Sequence, residues 1–397
     1  MDSMTILSKA IFDQSKKAET VEEAMQILLS YEHFRTLGDV LRKFSSASDL
    51  KQILVEGLLR WNPQDNRDST DRKVRNWLNG KTLSVSKSDA YILCRVLGLS
   101  LDQSDAFLQH AAGEGIHWRN PEDIVWCYSI VHDYSPEDTR RLMEQVTAFL
   151  DSLSTGTAKN PDSYTEMVHN KLITVLPSSE KALFAFLEEE YANLGTLHNT
   201  AYQLFTQYMS LLKQGYSELG TEALFDEMTR EDRKNARELA DGDVGIRRPE
   251  AIAVRDILEA YMYRKLVPIQ TRGKAKSAET FSAIQKNIRQ NWPDEASLSR
   301  MESRKLDVSR KVLILLFLAT DGTDSDYEEF DLLESPDDLF ESLYIRMDTM
   351  LEACGFPQLD PRNPFDWIIL FCIATGDLCN TDERLQELLM QMYPSVS

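Results

Sequence analysis

The amino-acid sequence predicts an all-α, multi-helical fold: two duplicated modules joined by a long helical middle region. Three observations lead there. Apolar residues recur at helical spacing nearly throughout the 397 residues, and alternating strand-like runs are absent. Strong helix-start chemistry stands at Asn120-Pro121-Glu122-Asp123 and again at Asn363-Pro364-Phe365-Asp366. In each, Asn can cap, Pro suits the first helical turn and an acid suits the positive end of the helix. Finally, several landmarks occur twice in one order, the mark of an internal repeat. RWNPQD from Arg60 answers QNWPDE from Gln290. RNWLNGKTLSVSK from Arg75 answers SRMESRKLDVSR from Ser299, and RNPEDIVWCYSIV from Arg119 answers RNPFDWIILFCIA from Arg362. Sliding the copies together pairs Leu83, Val85, Ser86 and Lys87 with Leu306, Val308, Ser309 and Arg310. A one-residue gap pairs Trp77 with Met301 and Val74 with Leu298.

Element by element, an amphipathic stretch at Val21–Tyr31 opens the series. Expected helices follow at Phe34–Phe44, Asp49–Trp61, Thr70–Leu78, Lys87–Leu97 and Leu101–Ala112, then from Asn120 and from Ser135 to Leu153. The small polar run over 154–163 reads as a linker. A long helical stretch from Pro177 to Lys213, broken near Gly195, and another at Glu218–Leu239 make the middle region. The second copy gives Glu250–Leu266, Ala278–Asn291, Ala296–Glu302 and Ser309–Thr320. An acidic stretch, Asp321–Glu341, leads to a helix ending at Cys354, one starting at Asn363 and a last one at Thr381–Met392. The expected organisation is therefore an N-terminal helical domain over 1–153, the linker 154–163, the middle region 164–245 and a C-terminal helical domain over 246–397 with an acidic tail.

Composition narrows the function. No apolar run approaches the roughly 18 residues of a membrane span, and no basic-then-apolar leader opens the chain. Five cysteines are scattered and never spaced as CxxC, which favours reduced thiols in a cytoplasmic protein over disulfides or zinc. The net charge of -20 weighs against nucleic acid, but its distribution is uneven. Arg60–Lys87 holds seven Lys/Arg against three Asp/Glu, and Arg264–Lys311 holds twelve against five. From Val312 onward the balance is three against eighteen, so both copies are locally basic and much of the acidity lies in the tail.

Catalytic patterns are missing from the sequence. Gly273-Lys274 lacks the earlier glycine and the strand of a phosphate loop, and Asp324–Glu329 lacks the glycine of a calcium loop. His110 and His117 flank a Gly-rich turn and read as structural. No cofactor, metal or enzymatic activity is expected.

The residues Val74-Arg75-Asn76-Trp77-Leu78-Asn79-Gly80-Lys81, then Ser86, then Leu97-Gly98-Leu99-Ser100-Leu101 carry a resemblance. Over about 34–112 the chain resembles the helix-turn-helix of the phage-repressor-like (XRE-type) DNA-binding family. A weaker second copy spans about 278–320. The connection Asn62–Ser69 is longer than that family's tight turn, which bears on the docking angle. The resemblance implies a recognition helix over about 70–78 that enters the major groove of double-stranded DNA. Ser69 or Thr70 is its expected cap, with Val74 and Trp77 turned inward. Arg72, Lys73, Arg75 and Asn76 face outward, where Arg can pair with guanine and Asn with adenine. Lys81 and Lys87 flank the turn toward phosphate. In the second copy Ser297 is the expected cap, Ser299 and Arg300 are outward, and Arg304, Lys305, Arg310 and Lys311 are basic neighbours. That copy reads equally as a second reader or as a packing or dimerisation unit. The expected function is sequence-specific DNA binding in transcriptional regulation. The alternative is a non-enzymatic helical scaffold or antitoxin-like interaction factor with a protein partner on the middle helices. A homodimer is also open.

Overall fold

The computed structural model describes residues 6–30, 34–153, 165–195, 199–226, 252–261, 276–290, 292–320, 336–374 and 381–393. Nineteen helices and no strand are found among them. The first two are α1 (Ile6–Lys17) and α2 (Val21–Ser30). The first copy contributes α3 (Leu37–Phe44), α4 (Leu50–Trp61), α5 (Arg67–Leu78), α6 (Lys87–Leu97), α7 (Leu101–Ala111), α8 (Pro121–Val131) and α9 (Pro136–Leu153). The middle holds α10 (Thr165–Val175), α11 (Glu180–Glu189) and α12 (Asn199–Asp226). The second copy contributes α13 (Val254–Tyr261), α14 (Lys276–Arg289), α15 (Glu295–Glu302), α16 (Arg310–Thr320), α17 (Pro336–Ala353), α18 (Pro364–Ile373) and α19 (Thr381–Met392).

Periodicity does not mark α1 or α10, and in α10 only Val168 and Leu172 are buried. The expected break near Gly195 is present: α11 ends at Glu189, Gly195 has φ 60°, and α12 begins at Asn199. The expected break after Lys213 is not. Helix α12 runs through Gly215 and Gly220 to Asp226, because each glycine costs a helix interior only about 1 kcal/mol. The expected linker at 154–163 lies outside the described residues, as do Gly273-Lys274 and Asp324–Glu329.

Two apolar cores organise the helices, along lines different from the expected segments. The first takes buried residues from Leu37 to Leu194, so α10 and α11 join the first copy. Its centre is aromatic: the Tyr91 and Trp126 rings stack at 5.2 Å and Trp61 lies 5.2 Å from Trp126. The second core unites α12–α19 with α1 and α2. Phe12 of α1 meets Phe340 and Tyr344 edge-on at 5.3 Å each, and Arg384 of α19 donates to the Ala18 carbonyl at 2.8 Å. Apart from Asp366 in its first turn, helix α18 is apolar all round, and it is buried at every position, as a central helix must be.

The two copies carry the same hydrogen bonds at the positions the sequence pairs. Gly80 and Arg304 are both left-handed, at φ 73° and 54°. Lys81 N donates to the Asn76 carbonyl at 2.9 Å, and Lys305 N donates to the Arg300 carbonyl at 2.7 Å. Asp105 accepts from Ile116 N at 2.7 Å, and Asp348 accepts from Leu359 N at 2.8 Å. Asn120 and Asn363 cap α8 and α18. One turn later, Lys87 meets buried Asp123 at 2.6 Å and Arg310 meets buried Asp366 at 2.7 and 2.9 Å.

A seam joins the two cores. Leu83, in the connection between α5 and α6, is buried in the second core rather than the first. Beside it Ser84 donates to Gln290 Oε1 at 2.9 Å and accepts from Asn287 Nδ2 at 3.2 Å. Arg35 N donates to the Arg362 carbonyl at 2.9 Å, and the Arg35 guanidinium pairs with Asp360. His110 sits between cations, with Arg35 3.1 Å from Nδ1 and Lys43 3.2 Å from Nε2. Burial, then Arg35, Lys43 and Arg362, push its pKa down to about 4. A neutral ring can accept from one of these cations, whereas an imidazolium faces both.

A pH dependence follows. Between the ordinary histidine pKa of about 6.5 and about 4, the unfolded chain binds a proton at His110 that the folded chain refuses. Stability is therefore fully present above pH 6.5 and falls as pH drops through that window. The expected loss is on the order of 2 kcal/mol after allowance for partial exposure. His110→Gln should flatten the stability-pH curve there, measured by urea unfolding at several pH values. An unchanged slope in that variant would show that another group carries the effect.

Candidate nucleic-acid interface

Helix α5 is the element on which the DNA reading depends. Its start differs from expectation. Neither Ser69 nor Thr70 is the cap. Asn66 is, its Oδ1 accepting from Asp68 N at 2.9 Å and Ser69 N at 3.2 Å. Asn is as good a cap as Ser, so the helix gains Arg67–Ser69 and the connection to α4 shortens to residues 62–66. Thr70 is consequently inside the first turn. It is buried, and its hydroxyl donates to the Asn66 carbonyl at 3.1 Å, which takes it off the outward face.

The helix is held from behind as the spacing predicts. Val74 and Trp77 are buried in the first core with Leu54, Leu58 and Leu41. At its end α3 comes very close: a Cβ on Gly38 would stand 2.7 Å from the Trp77 carbonyl oxygen, so only glycine fits. Arg42 of α3 donates to the Leu78 carbonyl, occupying an acceptor at the helix end. Gly80 then turns the chain left-handed, and Ser86 caps α6 by accepting from Asp89 N at 3.1 Å.

On the outward side Arg72, Lys73 and Arg75 are exposed, and Asn76 is half-buried. Arg72 and Asn76 are four residues apart and so lie one above the other, with Arg75 beside them. Arg75 pairs with Asp71, which also binds Lys51 at 2.6 Å. These two cations, Lys51 first, hold the Asp71 carboxyl below its ordinary value. Lys73 lies 3.4 Å from Asp89 and over the Trp77 ring at 5.0 Å. Exposed pairs of this kind are worth about 0–1 kcal/mol, so a phosphate or base can replace the carboxylate at small cost. Lys81 is exposed beyond the turn.

Lys87 does not serve as expected. Its ammonium is 2.6 Å from Asp123, whose side chain is only 5% exposed, and 3.8 Å from Glu114. Breaking a buried pair costs about 3–5 kcal/mol, so Lys87 is a structural cation and not a phosphate contact. Asp123 lies 36 residues away, at the start of α8, and no local spacing signals the pairing.

No protein-family model, curated protein or solved structure matches the chain. The site therefore rests on its own geometry.

The second copy presents less. Ser297 is not the cap of α15: Asp294 is, accepting from Ser297 N at 2.7 Å, while Ser297 Oγ accepts from Asp294 N at 2.9 Å. An acid one turn earlier makes this reciprocal box possible. Arg304 takes the left-handed place that Gly80 holds in the first copy. That conformation costs an L-residue roughly 1–2 kcal/mol. It is offset by the guanidinium lying 3.8 Å over the Tyr202 ring and donating to Asn199 Oδ1 at 3.1 Å. Helix α12 thereby covers one end of α15. Ser299, Arg300 and Lys305 are exposed.

Among the described residues no group of three or more His, Cys, Asp or Glu could hold a metal ion, and no helix is long and apolar enough to cross a membrane. Cys94, Cys127, Cys354 and Cys372 are buried. Burial pushes the Cys94 and Cys354 thiols up to about 12, far from the thiolate that nucleophilic chemistry requires. Cys379 lies outside the described residues.

Proposed function

We propose that the chain is a sequence-specific DNA-binding protein of the helix-turn-helix kind, similar to the XRE-type family, that regulates transcription through α5. The observation that carries this reading is one helix face. Arg72, Arg75 and Asn76 share it, and Val74 and Trp77 fix its orientation from behind. Arg72 would read guanine and Asn76 adenine, with Arg75 exchanging Asp71 for a base or phosphate. Lys73 and Lys81 would meet the backbone on either side. Arg300 and Lys305 make α15 the weaker second contact.

The test is a binding selection on random duplexes, followed by Arg72→Ala with Asn76→Ala on the enriched site. The expected outcome is a loss of about 10- to 100-fold in preference for each removed base pairing, corresponding to roughly 1–3 kcal/mol. Both side chains are outside the core, so the melting temperature should stay put. A folded double variant that keeps its preference would remove α5 from the reading role.

A helical scaffold or antitoxin-like interaction factor is the second reading. The net charge of -20 and the carboxylates beside Lys73 and Arg75 favour it. Salt separates the two readings. A DNA reader loses affinity steeply as salt rises, whereas a scaffold retains no duplex even at low salt.

A further inference from the structure

Three cations that belong to different parts of the fold converge on the seam. Arg35 comes from the connection between α2 and α3, Lys43 from α3 in the first core, and Arg362 from the loop before α18 in the second. All three line a cleft of about 1190 Å³ between the two cores. His110 is their common neighbour, with Arg35 at 3.1 Å and Lys43 at 3.2 Å. Arg362 lies close enough to act on both His110 and Arg35 electrostatically. The acids in reach are Asp360, which pairs with Arg35, and Asp39, which faces Arg362 and accepts from Thr36. Among the described residues Lys43 meets no carboxylate, only the His110 nitrogen at 3.2 Å and the Phe44 ring at 5.5 Å. Glu114, Asp294, Asp307, Asp348, Glu352 and Asp366 line other parts of the cleft.

Asp360 and Asp39 offset only part of the like charge gathered around the His110 ring, and a further anion would offset the rest. We infer that this corner of the cleft binds a small tetrahedral oxyanion group, of the phosphate or sulfate type, clamped by Arg35, Lys43 and Arg362. Cations approaching from separate directions suit an acceptor with oxygens on several sides, and Arg and Lys make their strongest hydrogen bonds to such groups. The rest of the cleft has room for the body of a phosphorylated small molecule. Because the clamp takes one cation from each core and one from the connection, its occupancy would hold the two cores in one arrangement. This inference does not depend on DNA binding by α5.

The probe is sulfate, doubly charged across the working pH range, against chloride at matched ionic strength. The readout is the His110 ring titration followed by NMR in the full chain. An anion between the cations should relieve the repulsion and move the His110 midpoint up by at least about one pH unit, as an opposite charge within about 4–6 Å does. The shift should saturate with sulfate and vanish in Lys43→Met, whose exposed side chain lies outside both cores and, among the described residues, bonds only to the His110 ring. Arg362→Gln should weaken it as well. No movement in the wild type, or equal movement in Lys43→Met, would overturn the site. A short DNA duplex that moves the midpoint where sulfate does not would overturn the small-anion clamp and give the cluster to the nucleic-acid backbone.

Discussion

Asp366→Ala should destabilise the second core by about 3–5 kcal/mol, the cost of removing one partner from a buried ion pair. Asp366 is 1% exposed, and both guanidinium nitrogens of Arg310 reach it, at 2.7 and 2.9 Å. It also accepts from Asp360 N at 2.9 Å. Alanine leaves a half-buried guanidinium and a backbone N–H without their acceptor, and the carbonyls of Pro357 and Gln358 satisfy only part of the Arg310 fork. The equivalent change in the first copy, Asp123→Ala, should fall at the low end of that range, about 3 kcal/mol. Lys87 is 20% exposed and has Glu114 within 3.8 Å to turn to. Urea unfolding of the two variants gives the comparison. Replacing Arg310 and Asp366 together by leucine should be milder than either single loss, because no unpaired charge remains. A double variant as unstable as the sum of the singles would show that the pair is not coupled.

Phe12→Ala should lower the second core's stability by about 3–5 kcal/mol, the usual cost of emptying a buried aromatic site, and leave the first core untouched. Phe12 is 5% exposed and its ring lies edge-on to Phe340 and Tyr344. The tryptophans allow each core to be watched alone. Trp61, Trp77 and Trp126 are buried in the first, while Trp367 is buried in the second and Trp292 packs against it. Fluorescence of variants keeping tryptophan in one core only should show an earlier transition for the second core and an unmoved one for the first. Parallel shifts in both would mean that the chain unfolds as one cooperative unit.

What could be read in the sequence was local chemistry. Asn120-Pro121 and Asn363-Pro364 start helices because a cap and a pre-set φ act within a few residues. Val74 and Trp77 turn inward because their spacing puts them on one side of a short helix, and the pairing of Trp77 with Met301 is matched by the backbone turns that follow each. Where two caps compete within a few residues, as Asn66 does with Ser69, local chemistry does not decide, and the start of α5 was missed by three positions. Distant partners left no trace. Lys87 looks like an exposed cation until Asp123 closes on it, and Arg304 looks like a free one until Tyr202 stacks beneath it. The cations of the seam come from positions far apart in the chain. Of these only Arg362 carried a signal, as part of the repeated Arg-Asn-Pro landmark.

Helices α1 and α2 belong to the core that is completed last. At a synthesis rate of about 5–20 residues per second, roughly 15–70 s pass between the emergence of α2 and that of α18, which packs against it. Residues 37–195 can finish their own core in that interval. For most of it Ile11, Phe12, Val21, Ala24 and Leu28 have no lasting cover, since α14, which also packs on α2, emerges late in the interval. The nascent chain is therefore born with two unsheltered greasy helices, the kind of surface that chaperones hold and that aggregation exploits.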